Sequence, residues 1–225
     1  MEHPFLKTLS RVEKSVEKLN AFLRQARTMA ESGEMEMAFH TSLRAADAAE
    51  RMVLLVRALP AYTGNPTAAD RIEALMQSHI PVDAGFTAEG WFSVRLPLLL
   101  PKKETGSAGY VRSFLYPALR DFFRGKPPVR YRDCVLIYRH VYSRSRPERK
   151  KRDHDNIESN MVSDIVALYV MEDDAPSLCS HYECSAAANR ERTEIYVVPK
   201  KEFPAWLEVE KSMPEEGVML YESCP

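Results

Sequence analysis

The run Arg144-Ser145-Arg146-Pro147-Glu148-Arg149-Lys150-Lys151-Arg152-Asp153-His154-Asp155-Asn156 decides how this chain is read. Six cations lead directly into two carboxylates one residue apart. Beyond them Ile157, Met161, Ile165, Leu168 and Tyr169 share one helical face, which predicts a helix from Ile157 to about Val170. Asp155 or Asn156 suits its cap. Glu172-Asp173-Asp174 follows. Charges of both signs this dense cost free energy unless something uses them. A hard divalent cation takes several oxygen ligands, and a phosphate backbone takes Lys and Arg. If the chain is extended at Asp153–Asp155, alternation points both carboxylates one way and His154 the other.

Upstream, Arg130 to Tyr142 is the strongest strand. Val135, Ile137 and Val141 face one way; Leu136, Tyr138, His140 and Tyr142 face the other. Bulk on both faces predicts a central strand, with Tyr138, His140 and Tyr142 as packing residues. Before it, Tyr110 to Phe123 reads as a helix containing Pro117, and Pro101–Gly106 as a loop carrying Lys102 and Lys103. Trp91 to Leu100 reads as a strand broken by Pro97, and Pro81–Gly90 as a linker. Downstream, Leu178–Ala186 and Thr193–Val198 read as two strands forming a hairpin through Asn189–Arg192. Phe203 to Pro225 reads as an acidic appendage containing Trp206.

The N-terminal third is helical. Phe5, Leu9, Val12, Val16, Leu19 and Leu23 mark one amphipathic helix. Met35, Phe39, Leu43, Ala46, Ala49, Val53 and Val56 mark a second, which Pro60 ends. Ser32-Gly33 joins them as an antiparallel hairpin. Asn65-Pro66 opens a third helix to about Ser78. This region has no cluster of His, Cys or paired carboxylates. It reads as a packing module or a partner surface.

Composition bounds the remainder. The 225 residues are 45% hydrophobic, enough for one substantial core or two small ones. No apolar run is long enough to span a bilayer, and Met1-Glu2-His3-Pro4 does not begin a signal pattern. The net charge of −1 says little. The balance shifts along the chain: residues 86–200 carry 19 Lys/Arg against 15 Asp/Glu, and residues 201–225 carry 2 against 6. Four scattered cysteines suggest a reduced, cytoplasmic protein rather than a disulfide framework. Cys179, His181 and Cys184 invite a zinc reading, with Cys224 a distant fourth. Structural zinc wants four ligands on one side, and strand alternation puts Cys184 on the face opposite Cys179 and His181.

A strand, Asp-x-Asp-Asn, a helix and a second acidic pair, in that order, resemble the RusA-like Holliday-junction resolvases, a class of endodeoxyribonuclease. The resemblance covers roughly residues 91–198. It implies a RusA-like domain with a small mixed sheet flanked by helices (86–200); with the N-terminal helical hairpin (residues 1–85) and the acidic appendage (201–225) read from the residue pattern, the expected chain is α+β. Asp153 and Asp155 stand where that family has its first two metal-binding aspartates. Asp174 stands at the third, with Asp173 beside it. The family implies magnesium, for which manganese may substitute, a homodimer, and branched DNA cut during recombination and repair. Arg144, Arg146, Arg149, Lys150, Lys151 and Arg152 would hold phosphates, and Lys102 and Lys103 a second DNA segment. The N-terminal helices look like an extension found in proteins of bacterial mobile elements, and suit a protein partner. One departure matters. The resolvases carry a lysine one helical turn into the helix, where this chain has Glu158 and Ser159. That bears on catalytic power, and it opens the alternative of a RusA-like protein that binds DNA or a partner without cutting.

Overall fold

The computed structural model describes residues 3–104, 106–148 and 151–223. The chain forms two compact units, Met1–Ala74 and Leu75–Pro225.

The first unit is helical. Helix α1 spans Pro4–Glu31, with the His3 ring accepting from the Phe5 N–H and proline at the first turn. Gly33, at φ +83°, makes the turn into α2, Met35–Ala58. A 3-10 turn over Leu59–Thr63 follows. Helix α3, Ala68–His79, begins beyond Asn65, whose side chain accepts from the Thr67 N–H at 2.9 Å. The seam between α1 and α2 closes on small residues: Thr8 and Val12 from one helix, Ala38, Thr41 and Ala45 from the other. The apolar stripe expected on α2 is not this seam. Met35, Leu43 and Val56 are 64%, 45% and 42% exposed. An alanine-rich helix offers two apolar faces, and the one with smaller side chains lets the helices approach closely.

The second unit is an α+β layer structure. Strands β1 (Asp83–Phe86), β2 (Phe92–Leu96), β3 (Cys134–Ser143), β4 (Cys179–Ala188) and β5 (Arg192–Pro199) form one sheet in the order β1-β2-β5-β3-β4. Only β3 and β4 run parallel; helix α5, Asn160–Val170, makes the crossover between them. β5 pairs antiparallel with β3 on its other side. The expected β4–β5 hairpin is therefore absent: the turn after β4 steps over the end of β3. The expected linker before β2 contains β1, which pairs antiparallel with β2. β3 is buried almost throughout, as its bulk on both faces predicted.

Helices cover both faces. On one, Trp91, Val135, Ile137, Tyr196 and Val198 pack with Trp206 of α6, Phe203–Lys211. Trp206 is fully buried, so the expected appendage completes the core. The other face carries α4, Ser107–Phe122, and α5. There Phe92 meets Phe122 and Phe123, and the Tyr138 hydroxyl bonds the Ser163 hydroxyl at 2.7 Å and the Ser159 carbonyl at 3.0 Å. Among the described residues no helix is long and apolar enough to cross a membrane.

Candidate metal centre

The parallel register of β3 and β4 sets Tyr138 beside Glu183 and His140 beside Ser185. Side chains at i and i+2 share a face, so Tyr138, His140, Glu183 and Ser185 all look toward α5. The chain leaving β3 returns to this face through a 3-10 turn, His154–Asn156. Loop residues 101–103 pin that turn: Lys103 N–H donates to the Asn156 carbonyl at 2.8 Å, and Glu158 N–H to the Pro101 carbonyl at 2.9 Å. His154 is thereby lowered onto the sheet. Its ring lies 5.3 Å from that of His140, and its Nε2 is 3.0 Å from the Ser185 hydroxyl.

Three ligand atoms converge. His140 Nε2 is 3.6 Å from Glu183 Oε2, and His154 Nδ1 is 3.8 Å from the same oxygen. All three donors lie within 4.8 Å of one another. These separations are too long for hydrogen bonds. Neither His140 nitrogen has a hydrogen-bond partner, nor does Glu183 Oε2. His140 is 1% exposed. A buried polar group left without a partner costs about 1–3 kcal/mol. An ion answers this: ligand bonds of about 2.0–2.2 Å place tetrahedral neighbours roughly 3.4 Å apart. The spacing needs only a small contraction. Ser185 would then be the outer partner that orients His154 as a ligand. The His154 and Glu183 side chains remain 37% and 23% exposed, which leaves a solvent-facing position.

The aspartates named by the motif do not assemble. Among the described residues, no three of Asp153, Asp155, Asp173 and Asp174 bring ligand oxygens within 4.8 Å of each other. All four are exposed. The alternation at Asp153–Asp155 reaches the sheet through His154, the residue expected to point away. Asp173 and Asp174 follow α5, whose 11 residues rise about 16 Å. The donor set that does converge, two imidazoles and a carboxylate, suits zinc, manganese, iron or nickel. Magnesium prefers an all-oxygen octahedron and does not fit it.

Much of the basic run is held within the chain. Arg144 bonds Asn189 and Glu215, Arg146 bonds Glu191, and Lys151 pairs with Glu148. The Arg152 guanidinium donates to the Leu100 carbonyl. The Arg146 hydrogen bonds hold the Glu191 carboxyl below its ordinary value. Arg149 and Lys150 lie outside the described residues, as does Cys224. Lys102 and Lys103 are exposed on the loop that pins the His154 turn. Cys184 lies among the α6-side residues, opposite Cys179 and His181, as alternation required. Cys134 and Cys179 are register partners at the start of β3 and β4 and are free thiols. Hydrogen bonding from Cys134 and then His181 holds the Cys179 thiol down to about 5.

Beside Ser159, which stands in place of the expected lysine, Glu158 is buried. Its carboxylate accepts from the Ser107 hydroxyl at 2.8 Å and the Met161 N–H at 3.3 Å. It therefore serves the first turns of α4 and α5 together.

The chain belongs to the DUF6100 family. The model of that family, described as a family of unknown function, matches residues 1–223. The match spans the helical hairpin, the sheet and the C-terminal segment, so DUF6100 joins both units in one chain. No curated protein and no solved structure matches the chain.

His140 and Glu183 were not legible as ligands. His140 sits in a strand whose bulky neighbours argue for packing. Glu183 lies 43 positions later, and only the parallel register brings the two together.

Proposed function

We propose that this chain is a metal-dependent phosphodiesterase of nucleic acid, with a divalent transition ion held by His140, His154 and Glu183. One observation carries the reading: the His140 imidazole is buried, bonded to nothing, and set beside an equally unpartnered carboxylate oxygen. A bound ion with an open position supplies Lewis acidity toward a phosphate and activates water. The chain supplies the rest. His154 and Glu183 face solvent, and Ser185 fixes the His154 ring. Lys102 and Lys103 stand on the adjoining loop, where they would meet a phosphate backbone. The likeness of residues 91–198 to the RusA-like resolvases supports branched DNA as the substrate, and the few, scattered cysteines support the cytoplasm as the place of action.

The test uses chelator-treated protein titrated calorimetrically with zinc, manganese and magnesium, then offered four-way junctions and flaps with each ion. The proposal expects binding of zinc or manganese well ahead of magnesium, and cleavage that His140→Ala abolishes. Cleavage by His140→Ala equal to wild type would sink it.

A second reading has its own support. Ser159 stands in place of the lysine that the resolvases carry, and its neighbour Glu158 is buried and committed to the fold. A protein that binds branched DNA and leaves it whole would shift junctions in a gel with every ion and cut none.

A further inference from the structure

The two sides of the α1–α2 hairpin differ in kind. The seam follows a seven-residue repeat. On α1 it runs through Phe5, Thr8, Val12, Ser15, Leu19 and Phe22; on α2 through Ala38, Thr41, Ala45, Ala48, Met52 and Leu55. In an antiparallel pair, the residue after each second seam position borders the same side on both helices. On that side stand Leu9, Val16 and Leu23 of α1 and Met35, Ser42, Ala49 and Val56 of α2. Val16 and Leu23 are 39% and 52% exposed, and Met35 is more exposed still. The opposite border carries Arg11 and Lys18 of α1 and Met37, Arg44 and Arg51 of α2. There Arg44 stacks on the Phe22 ring at 4.5 Å, and Arg51 pairs with Asp47.

We infer that the apolar border is where two copies of this chain meet, hairpin against hairpin, as an antiparallel four-helix bundle. Three observations choose this occupant. The first is the make-up of the seam: six of its twelve residues are alanine, serine or threonine, which bury little apolar surface, and helices owe most of their stability to packing. The second is size. Helix α1 has 28 residues and is about 42 Å long. With a neighbour about 10 Å away, the hairpin face offers roughly 800 Å², the usual area per partner in a stable complex. The third is charge. The cationic border repels its own copy, whereas the uncharged border is self-complementary about a two-fold axis. Docking there leaves the arginines and lysines of both copies facing outward.

The experiment is sedimentation velocity on the full chain across about 1–100 μM, with circular dichroism on every variant. Wild type is expected to sediment as a dimer. Leu23→Glu with Val56→Glu should give a monomer of unchanged helical content, with dimerisation weakened at least 100-fold. Arg44→Glu on the other border should remain dimeric. A monomeric wild type throughout that range overturns the inference, as does a double variant that still dimerises. If the double variant fails to fold, the wild-type mass decides. A variant series in which Arg44→Glu alone breaks the dimer would place the contact on the cationic side and equally refute it.

Discussion

His140 Nε2 stands 3.6 Å from Glu183 Oε2 across two parallel strands, and neither atom has a hydrogen bond. A histidine kept for packing should not be left this way. Replacing an unsatisfied buried polar group by an apolar one of similar shape is nearly neutral or stabilising. His140→Leu is therefore expected to unfold no earlier than metal-free wild type, and to lose all stabilisation by added zinc or manganese. Thermal unfolding with and without the ion reads both effects. A large loss of stability in the metal-free variant would mark His140 as structural.

Ser185 tests the same site from outside. Its hydroxyl is 3.0 Å from His154 Nε2, while Nδ1 faces Glu183. Removing a partner that orients a ligand typically weakens metal affinity 10–100-fold. Ser185→Ala should show that loss by calorimetry with no change in melting of the metal-free protein. Ser180, on the same strand but on its other face, serves as the control: Ser180→Ala should bind as wild type does.

How far the sequence could be read depended on the distance over which its signals act. Local periodicity placed α1, α2, α4, α5 and β3 within a few residues of their true bounds. The alternation of β3 foretold a strand buried on both faces, and that of β4 correctly divided Cys184 from His181. Pairing was another matter. Nothing local to Leu178–Val198 says that its two strands flank β3 rather than each other. That arrangement follows from the α5 crossover, which makes β4 parallel to β3 and leaves the antiparallel side to β5. The site shared this fate. Asp-x-Asp drew attention to the right segment, but a turn pinned by residues 101–103 lowered His154 into place, and its companions came from two strands by register alone.

Acid should loosen the second unit through Glu194. This fully buried carboxylate accepts from Arg139 at 3.0 Å, from Arg192 at 2.6 Å and from the Tyr196 hydroxyl at 2.9 Å. Burial alone would raise it; Arg139, then Arg192 and Tyr196, outweigh burial and hold it below the ordinary 4.5. A lowered folded-state value means the group stabilises fully above the unfolded value and loses that contribution as pH falls through the folded one. The melting temperature should thus drop below about pH 4.5. Glu194→Ala leaves two arginines buried without their carboxylate and should cost about 3–5 kcal/mol at pH 7. A melting curve of wild type that is flat between pH 7 and 3 would contradict this.

Glu158 separates resemblance from lineage. The resolvase pattern asks for lysine in the stretch that here reads Glu158-Ser159, with Ser159 in the lysine's place; beside it the buried Glu158 carboxylate accepts from Ser107 and Met161 at the first turns of two helices. Helix N-termini favour negative charge. An ammonium there would be buried, unpaired and on the wrong side of two dipoles. Glu158→Lys should cost more than about 3 kcal/mol, seen as a fall in denaturation midpoint, and should confer no cleavage. Glu158→Gln keeps the acceptor and should cost about 1 kcal/mol or less. If Glu158→Lys folded with wild-type stability and cut junctions faster, the carboxylate would have no structural role and the resolvase pattern would hold after all.

The last prediction concerns the strap that closes the buried ion cluster. Gly217 has φ +85°, a conformation that side chains rarely adopt. A Cβ built there would lie 2.7 Å from Arg95 Nη2 and 2.8 Å from Glu194 Oε1. The neighbouring backbone is engaged too: the Val218 carbonyl accepts from Arg95, and the Glu215 carbonyl from Arg192 at 2.9 Å. Gly217→Ala thus combines left-handed strain of about 1 kcal/mol with displacement of the Arg95 guanidinium and of the buried Glu194 carboxylate. A total loss of roughly 2–4 kcal/mol is expected. For a chain of this length that lowers the melting temperature by roughly 4–16 °C. Gly64, also left-handed but with nothing within 4 Å of its would-be Cβ, isolates the strain. Gly64→Ala should cost only about 1 kcal/mol. Equal losses at the two glycines would show that the packing of Gly217 against Arg95 and Glu194 adds nothing to the fold.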